Sequence, residues 1–212
     1  MAPLAKLRGA ACLAHAAGST SHNDDDDDDD NGHRHRHSGD KGHPMKFKTS
    51  ALRMLRVDSP LGGVTLAATD DGLAGLWFDQ QRHLPDMSGW QTDAIEDAHP
   101  VLRAAAAQLQ AYFAGTRAHF DLPLDLSHGT AFQQAVWQAL RAIPTGATTS
   151  YGALSQCVGN PSAVRAVGAA VGRNPISVIV PCHRVVGADG SLTGYAGGLE
   201  RKTALLALEG AR

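Results

Sequence analysis

The apolar positions between residues 45 and 127 change from a strand pattern to a helix pattern. Three short apolar runs predict strands at residues 54–58, 64–69 and 73–78. The sequence Asp70-Asp71-Gly72 predicts a tight hairpin turn between the last two of them. From residue 100 to Gly115, apolar side chains recur every three or four positions, which indicates an amphipathic helix ended by that glycine. We therefore expect this half of the chain to form a small α/β domain.

Residues 128–212 show short helical patterns separated by turn residues. Thr130-x-x-Gln133 is a capping box, and it predicts the start of an amphipathic helix that ends before Pro144. Two further helices are expected at residues 151–158 and 161–172, the second with Pro161 at its first position. The Gly159-Asn160 turn between them indicates a helix-turn-helix. A buried strand and a final helix are expected at residues 176–180 and 199–209.

The first 44 residues differ in composition from the rest of the chain. Asp24–Asp30 is a run of aspartates, and residues 33–37 alternate histidine with arginine. Such a segment buries too little apolar surface to offset chain entropy, so we expect a disordered tail. Weak metal binding by the histidines is the alternative. With a linker at residues 122–128, the expected organisation is a tail (1–44), an N-terminal domain (45–127) and a C-terminal domain (128–212).

Charge and hydrophobicity narrow the class of protein. The chain is 43% hydrophobic, yet no apolar run approaches the ~20 residues that a membrane span requires. We therefore expect a cytoplasmic protein without a membrane partner. The net charge is -2 overall, but residues 128–212 hold 7 Lys or Arg against 3 Asp or Glu. A positive C-terminal domain has the sign expected for a nucleic-acid partner.

The second helix of the helix-turn-helix carries small side chains and one arginine, Arg165. A helix that reads the major groove needs several long polar side chains for the base edges. Small residues instead permit close approach, either to a narrow minor groove or to another helix, and the sequence leaves both explanations open. Gly168 lies inside this helix although glycine costs about 1 kcal/mol there relative to alanine.

Cys182 is the first candidate for chemistry. It stands between Pro181 and the pair His183-Arg184, and neighbouring cationic groups can lower a thiol pKa and increase the thiolate. A buried structural cysteine is the alternative. Glu209 is the second candidate, because an acid in the last helical turn faces the negative end of the helix dipole. Its position hints at a partner elsewhere in the fold.

Several motifs occur together in one order. They are Phe132–Pro144, Ser150-Tyr151-Gly152, Gly159-Asn160-Pro161, Arg165–Gly168, Asn174-Pro175, Pro181–Val186, Gly194-Tyr195-x-Gly197-Gly198 and Leu205-Leu206-x-x-Glu209. In these motifs residues 128–212 closely resemble the DNA-binding and catalytic domain of the O6-alkylguanine-DNA alkyltransferase family. Residues 48–127 fit the family's more variable N-terminal domain in length and pattern. The resemblance implies an α+β fold, with a ribonuclease H-like α/β domain before a helical, winged helix-turn-helix catalytic domain.

The resemblance implies four catalytic residues. Cys182 matches the nucleophile that accepts the alkyl group, and His183 matches the base that draws its proton through a bridging water. Glu209 matches the acid that orients this histidine. Asn174 matches the residue that ties the helix-turn-helix to the active-site segment.

It also implies residues that bind DNA. Tyr151 matches a phenol that donates to guanine N3 and helps to turn the target phosphate outward. Arg165 matches the arginine that fills the space left by the extruded base, and Ala163 lies on the same DNA-binding helix. Tyr195 matches a residue that covers the base.

Three backbone groups complete the expected site. The carbonyls of Cys182 and Val185 would accept from the guanine amino group, and the amide of Ala196 would face O6. The family often has a hydroxyl residue at this last position, and this chain has alanine there. Some members bind zinc through N-terminal cysteines, but no cysteine occurs between residues 45 and 156, so we expect neither metal nor cofactor.

The expected function is DNA repair. The protein would extrude O6-alkylguanine from duplex DNA through the minor groove and transfer the alkyl group irreversibly to Cys182. We expect one turnover per molecule and a monomer, and O4-alkylthymine stays open as a second substrate. The main alternative is a sensor that binds alkylated DNA without reacting. A cysteine hydrolase and a winged-helix transcription factor are further alternatives.

Overall fold

A computed structural model describes residue 47 and residues 52–211, so the tail expected at residues 1–44 lies outside the described part. The N-terminal half contains a four-stranded sheet of order β3-β2-β1-β4. Strand β1 pairs antiparallel with β2 and parallel with β4, and β2 pairs antiparallel with β3. The strands are β1 (Arg53–Val57), β2 (Val64–Thr69), β3 (Gly72–Phe78) and β4 (Gln91–Thr92). The three strands expected from the sequence are confirmed, and β4 is an addition.

Helix α1 (Pro100–Phe113) packs on one face of this sheet. Pro100 occupies the first turn, where its missing N–H removes no hydrogen bond, and Gly115 follows the helix with a φ of 71°. The apolar stripe of the helix is buried, as its period predicts. Tyr112 is the last buried residue of this stripe, and its hydroxyl contacts a residue of the second half of the chain.

The second half is mainly helical. Its elements are α2 (Ala131–Arg141), β5 (Thr149–Ser150), α3 (Tyr151–Cys157), α4 (Val164–Gly172), a 3-10 helix (Cys182–Arg184), β6 (Val185–Val186) and α5 (Leu199–Leu208). Helix α2 packs against α4, and the Trp137 indole N–H donates to the Ala170 carbonyl at 2.9 Å. Within the described residues, no helix is both long and apolar enough to cross a membrane.

Helices α3 and α4 form the expected helix-turn-helix, but α4 begins later than the sequence predicts. Residues 161 and 162 lie in a turn, and the first helical residue is Val164. The turn is held by the Ser155 hydroxyl, which donates to the carbonyls of Gly152 and Pro161 at 2.7 and 3.2 Å. Proline is tolerated both in the first turn of a helix and in a turn that precedes a helix. Pro161 therefore did not mark the first helical residue.

The strand expected at residues 176–180 is wrong. Ile176 alone forms a bridge, parallel to Leu76 of β3, and residues 177–180 form turns. Val178 has a φ of 69°, which a β-branched residue rarely adopts. The apolar residues of this run are buried. A buried turn produces the same apolar run in the sequence as a buried strand does.

The outer edge of β3 joins the two halves. Leu73 exchanges backbone hydrogen bonds with Pro123 and Asp125 at 2.8 and 2.9 Å, so the predicted linker pairs with the sheet. Leu76 does the same with Pro175 and Ser177 at 2.9 and 3.0 Å. These contacts cover an otherwise open strand edge. They also fix the segment that leads to Cys182.

The capping box of α2 offers a test of local stability. The Thr130 side chain accepts from the Gln133 amide at 3.2 Å, and the Gln133 side chain accepts from the Thr130 amide at 2.9 Å. We expect Thr130→Ala to lower the free energy of unfolding by about 1 kcal/mol, because it leaves a helix-end donor without a partner. Urea unfolding measures the change. Thr203→Ala, at an exposed position inside α5, is the control and should change stability by less than about 0.5 kcal/mol. Equal losses in the two variants would contradict the capping role.

Candidate active site

Cys182 opens the 3-10 helix, directly after the apolar turns at residues 177–180. The next segment, β6, pairs in parallel with β5, so that Val186 lies opposite Ser150. Ser150 caps α3 by accepting from the Ala153 amide at 3.1 Å. This pairing brings Tyr151, the first residue of α3, to the cysteine. Two short strands that the sequence did not reveal thus assemble the site.

A cavity of about 410 Å³ opens onto Cys182. Five of the residues expected in the site line it: Tyr151, Arg165, Cys182, Tyr195 and Ala196. Gly168 of α4 also lines it, and an alanine there would place its Cβ 3.8 Å from the Tyr151 ring. Its volume falls within the roughly 300–1,000 Å³ typical of small-molecule sites. The cavity is large enough to be a binding pocket, and Cys182 is the one thiol that the described part of the chain contributes to its wall.

The N-terminal half contributes to this cavity, which the sequence analysis missed. Arg82 and His83, in the loop after β3, line it together with Thr193 and Gly194. The Arg82 amide donates to the Ala196 carbonyl at 2.9 Å. Gln81 anchors the same loop, because its buried side chain accepts from the Phe78 amide at 3.0 Å. No motif in the sequence indicates this contact between the halves.

Asn174 holds the sulfur, as well as the turn before it. Its Nδ2 donates to Cys182 Sγ at 3.0 Å and to the Val180 carbonyl at 2.7 Å, while its Oδ1 accepts from the Ile176 amide at 3.0 Å. The side chain is buried, so these bonds are protected from water. The residue therefore connects the end of α4 with the nucleophile.

The pKa of Cys182 moves in the direction opposite to the expected one. Burial raises the pKa of its thiol to about 11, although the Asn174 hydrogen bond and the Lys202 charge oppose the rise. Cys182 is only 4% exposed, and removing a charged thiolate from water costs more free energy than these neighbours return. Arg184, which the sequence analysis placed beside the thiol, instead points to Glu209. The thiol therefore needs a base to ionise.

Glu209 ends α5 and turns its carboxylate into the interior. Its Oε1 accepts from Tyr112, His183 and Arg184 at 2.8, 3.0 and 2.7 Å, and its Oε2 accepts from Arg184 Nε at 2.8 Å. Burial alone would raise the pKa of Glu209, but the hydrogen bonds from His183 and Arg184 outweigh it and lower the pKa to about 2. Glu209 thus has partners elsewhere in the fold, as its unfavourable position at the end of a helix suggested.

This carboxylate determines the tautomer of His183. An ionised Glu209 only accepts, so the Nε2 that faces it carries the hydrogen. The other ring nitrogen, Nδ1, is buried, has no hydrogen-bond partner among the described residues, and carries the lone pair. Burial lowers the pKa of the imidazole despite the Glu209 charge, so the ring is neutral near pH 7. His183 is thus prepared to accept a proton at Nδ1.

Lys202 is a further residue that the sequence analysis missed. The side chain is fully buried, and its Nζ donates to the carbonyls of Val185 and Thr193 at 2.5 and 2.7 Å. The Val185 carbonyl, expected to bind the base, thus already has one donor, and a carbonyl oxygen can accept a second. A lysine in an amphipathic helix is usually exposed, so its sequence position carries no signal of this role.

The surface of α4 reconciles the two explanations of its small residues. Ala170 and Val171 are buried against the protein, whereas Arg165, Ala166 and Ala169 are exposed. Close packing thus accounts for one face. The other face is free of large side chains apart from Arg165 and Val164, which leaves room for a partner surface. Ala163 stands at the start of the helix, half-buried and outside the cavity.

The contact between Asn174 and the sulfur has a measurable effect on ionisation. We expect Asn174→Ala to raise the pKa of Cys182 further, by about one unit, because a hydrogen bond to a charged group is lost. The measurement is the pH dependence of iodoacetamide addition, read by mass spectrometry of the peptide that contains Cys182. Asn160→Ala, on the exposed turn between α3 and α4, is the matched control. A fall in the thiol pKa of Asn174→Ala would contradict the assignment.

Among the residues that the structure describes, no group of three or more His, Cys, Asp or Glu side chains is arranged to hold a metal ion.

Comparison with known proteins identifies the family. The ribonuclease-like domain of 6-O-methylguanine DNA methyltransferase matches residues 53–126, and its DNA binding domain matches residues 131–211. The methylated-DNA–protein-cysteine methyltransferase of Mycolicibacterium paratuberculosis is 51% identical over 153 residues, which are 72% of this chain and 89% of that relative. The relative of the same name in Methanosarcina acetivorans is 46% identical over 153 residues, 72% of this chain and 95% of its own.

A solved structure shares the fold. The crystal structure of Mycobacterium tuberculosis OGT in complex with DNA has a TM-score of 0.68 and 48% sequence identity, over 75% of this chain and 93% of that chain. The expected α+β fold, with a ribonuclease-like domain before a DNA-binding domain, is confirmed. The chain belongs to the 6-O-methylguanine DNA methyltransferase family.

Proposed function

We propose that this protein repairs DNA by transferring the alkyl group of O6-alkylguanine to the sulfur of Cys182, once per molecule. One observation carries the proposal: the cavity that opens onto this thiol is bordered by a helix-turn-helix whose exposed face is nearly free of large side chains. The family match to a DNA binding domain supports DNA as the partner. The alkyl carbon of O6-alkylguanine is an electrophile, and a cysteine thiolate is a nucleophile that can attack it.

Duplex DNA would approach along α4. O6 of guanine is stacked inside the duplex, so the nucleotide must be extruded before a buried thiol can reach it. Small exposed residues, such as Ala166 and Ala169, suit close approach to the minor groove. Arg165 is exposed at the rim of the cavity and is proposed to enter the stack in place of the lost base. Ala163 is proposed to contact the backbone at the start of the same helix.

The cavity walls would hold the extruded base. Burial raises the pKa of Tyr151, so its phenol keeps the proton that it would donate to guanine N3. Tyr195 is proposed to cover the ring, with the Ala196 amide near O6. The carbonyls of Cys182 and Val185 are proposed to accept from the amino group. We propose that the protein acts as a monomer.

The transfer step then follows from the ionisation states. The Cys182 proton passes to His183 Nδ1, directly or through a water, and Glu209 stabilises the imidazolium that forms. The thiolate attacks the alkyl carbon and forms an S–C bond, while the C–O6 bond breaks and its electron pair stays on guanine. Tyr151 donates a hydrogen bond to N3 that stabilises the negative charge left on guanine, and the proton held by His183 balances this charge once it is released. The thioether is stable, and no second thiol among the described residues lines the cavity to regenerate the first.

The same proposal covers the organisation of the chain and its place in the cell. We propose domains at residues 45–127 and 128–212, which the family matches at residues 53–126 and 131–211 support. A protein that repairs chromosomal DNA is proposed to act in the cytoplasm.

A sensor that binds alkylated DNA without reacting is the alternative, and a buried thiol with a base and an orienting carboxylate argues against it.

The test is stoichiometry. Excess duplex DNA with O6-methylguanine should leave one methyl group per protein molecule, on the peptide that contains Cys182, and restore guanine in an equal amount. The same duplex with unmodified guanine is the control and should leave the mass unchanged. Tight binding with unchanged mass would support the sensor, and more than one methyl group removed per protein would refute single turnover.

A further inference from the structure

A residue of the N-terminal domain reaches the catalytic carboxylate. The hydroxyl of Tyr112, in the last turn of α1, donates to Glu209 Oε1 at 2.8 Å, across 97 positions of sequence. The ring is 2% exposed and packs against Phe113 and Phe120, with ring centroids 5.4 and 5.3 Å away. Sequence analysis placed this tyrosine in an apolar stripe, where nothing distinguishes it from a core residue.

The oxygen that accepts from Tyr112 is the one that faces the proposed base. Glu209 Oε1 receives three donors, from Tyr112, His183 and Arg184, whereas Oε2 receives Arg184 Nε. A carboxylate oxygen offers about two lone pairs, so the three donors share its charge. Each bond that Tyr112 or Arg184 makes therefore reduces the charge that Glu209 presents to His183.

We propose that Tyr112 is a positioning residue, through which the N-terminal domain sets how strongly Glu209 supports His183 as the base. The inference rests on the proposed function for its consequence in catalysis. Its structural part stands on the shared oxygen alone. It gives the ribonuclease-like domain a role in the chemistry, in addition to its place in the cavity wall.

The hydrogen bond between Tyr112 and Glu209 is expected to be present around neutral pH. Burial, followed by the Glu209 charge, raises the pKa of Tyr112 far above neutrality, so the phenol always donates. The lowered pKa of Glu209, about 2, keeps the carboxylate an acceptor. The tyrosine is thus a constant influence on the histidine and does not itself titrate.

The charged groups that face His183 are few among the described residues. Glu209 favours its protonated form, and Arg184 and Lys202 disfavour it, in addition to burial. Removal of the Tyr112 hydroxyl changes the effect of Glu209 on His183, because Glu209 Oε1 then has two donors instead of three. Arg184 still holds the carboxylate through both oxygens, so Glu209 keeps its orientation. The imidazolium is then better stabilised, and the pKa of His183 rises.

The experiment compares Tyr112→Phe with Phe120→Leu in the full chain. Tyr112→Phe keeps the ring and loses only the hydroxyl, whereas Phe120→Leu disturbs the aromatic packing around Tyr112 and keeps the hydroxyl. The pKa of His183 is followed by NMR of protein with isotope-labelled histidine, with its signal assigned by its loss in His183→Gln. We expect Tyr112→Phe to raise this pKa by about one unit, the size of one hydrogen bond to a charged group, and Phe120→Leu to leave it within about 0.3 units.

Transfer gives the second readout. The rate of methyl transfer needs neutral His183, so the acid limb of its pH profile should move to higher pH in Tyr112→Phe by the same amount. A purely structural tyrosine would lower stability or the active fraction in both variants and leave the limb in place. An unmoved His183 pKa in Tyr112→Phe, or equal shifts in both variants, overturns the inference. Absence of transfer in the wild type would instead overturn the proposed function, while the NMR titration still decides the role of Tyr112.

Discussion

Replacement of Cys182 by alanine is expected to abolish alkyl transfer completely. Among the described residues, Cys182 is the one thiol that lines the cavity, and a thiolate attacks an alkyl carbon far more readily than the hydroxyl and imidazole groups beside it. The loss should exceed about a thousandfold, since the chemical step itself is removed. The measurement is transfer of a labelled methyl group from duplex DNA to protein, with the wild type in parallel.

Binding should survive the same change. Cys182→Ala removes one buried sulfur from a site whose proposed DNA contacts are on α4 and on the cavity walls, so we expect affinity for the lesion duplex to stay within about tenfold of the wild type. Arg165→Ala is the opposite control: it should weaken binding by a larger factor while the thiol is intact. Methyl transfer by Cys182→Ala would contradict the assignment of the acceptor. Lost binding in a folded Cys182→Ala would contradict the assignment of the binding surface.

Glu209→Ala is expected to cause the largest loss of stability. The change leaves the Arg184 guanidinium buried without its carboxylate and removes the acceptor of Tyr112 and His183. Breaking a buried ion pair from one side typically costs about 3–5 kcal/mol. Glu200→Ala, in the exposed first turn of the same helix, should cost about 1 kcal/mol or less. Urea unfolding at pH 7 measures both variants.

The pH dependence distinguishes the ionised carboxylate from its packing. Hydrogen bonds from His183 and Arg184, which outweigh burial, lower the pKa of Glu209 from 4.5 to about 2. A lowered pKa in the folded state contributes stability above pH 4.5, and this contribution is lost as the pH falls toward 2. The stability difference between wild type and Glu209→Ala should therefore narrow over this interval. A difference that stays constant would show that the charge contributes nothing.

Local signals predicted most of the elements. The three strands, α1 and the capped start of α2 follow from apolar period, turn residues and side-chain caps, which act over a few neighbouring residues. The strand expected at residues 176–180 failed because its apolar residues reflect burial among both halves of the chain. Strands β4, β5 and β6 have two residues each, too short for any period to indicate them.

The residues of the site likewise fall into those that the sequence indicated and those that only the structure revealed. Cys182, His183, Asn174 and Glu209 were named through motifs of the catalytic domain, and the structure brings all four together. Arg82, His83 and Tyr112 come from the more variable N-terminal domain, where no motif marks them. The direction of the Cys182 pKa was also wrong, because neighbours in sequence suggested cationic support and the fold supplied burial instead.

Residue identities at fixed spacing were enough to indicate the family, the candidate nucleophile and the helix-turn-helix. Three features became visible only in the folded chain: the groups that share the Glu209 carboxylate, the His183 nitrogen that has no partner among the described residues, and the contribution of the N-terminal domain to the site. The physical reason is that ionisation and hydrogen bonding depend on burial and distance. Both are set by contacts between residues that lie far apart in the chain.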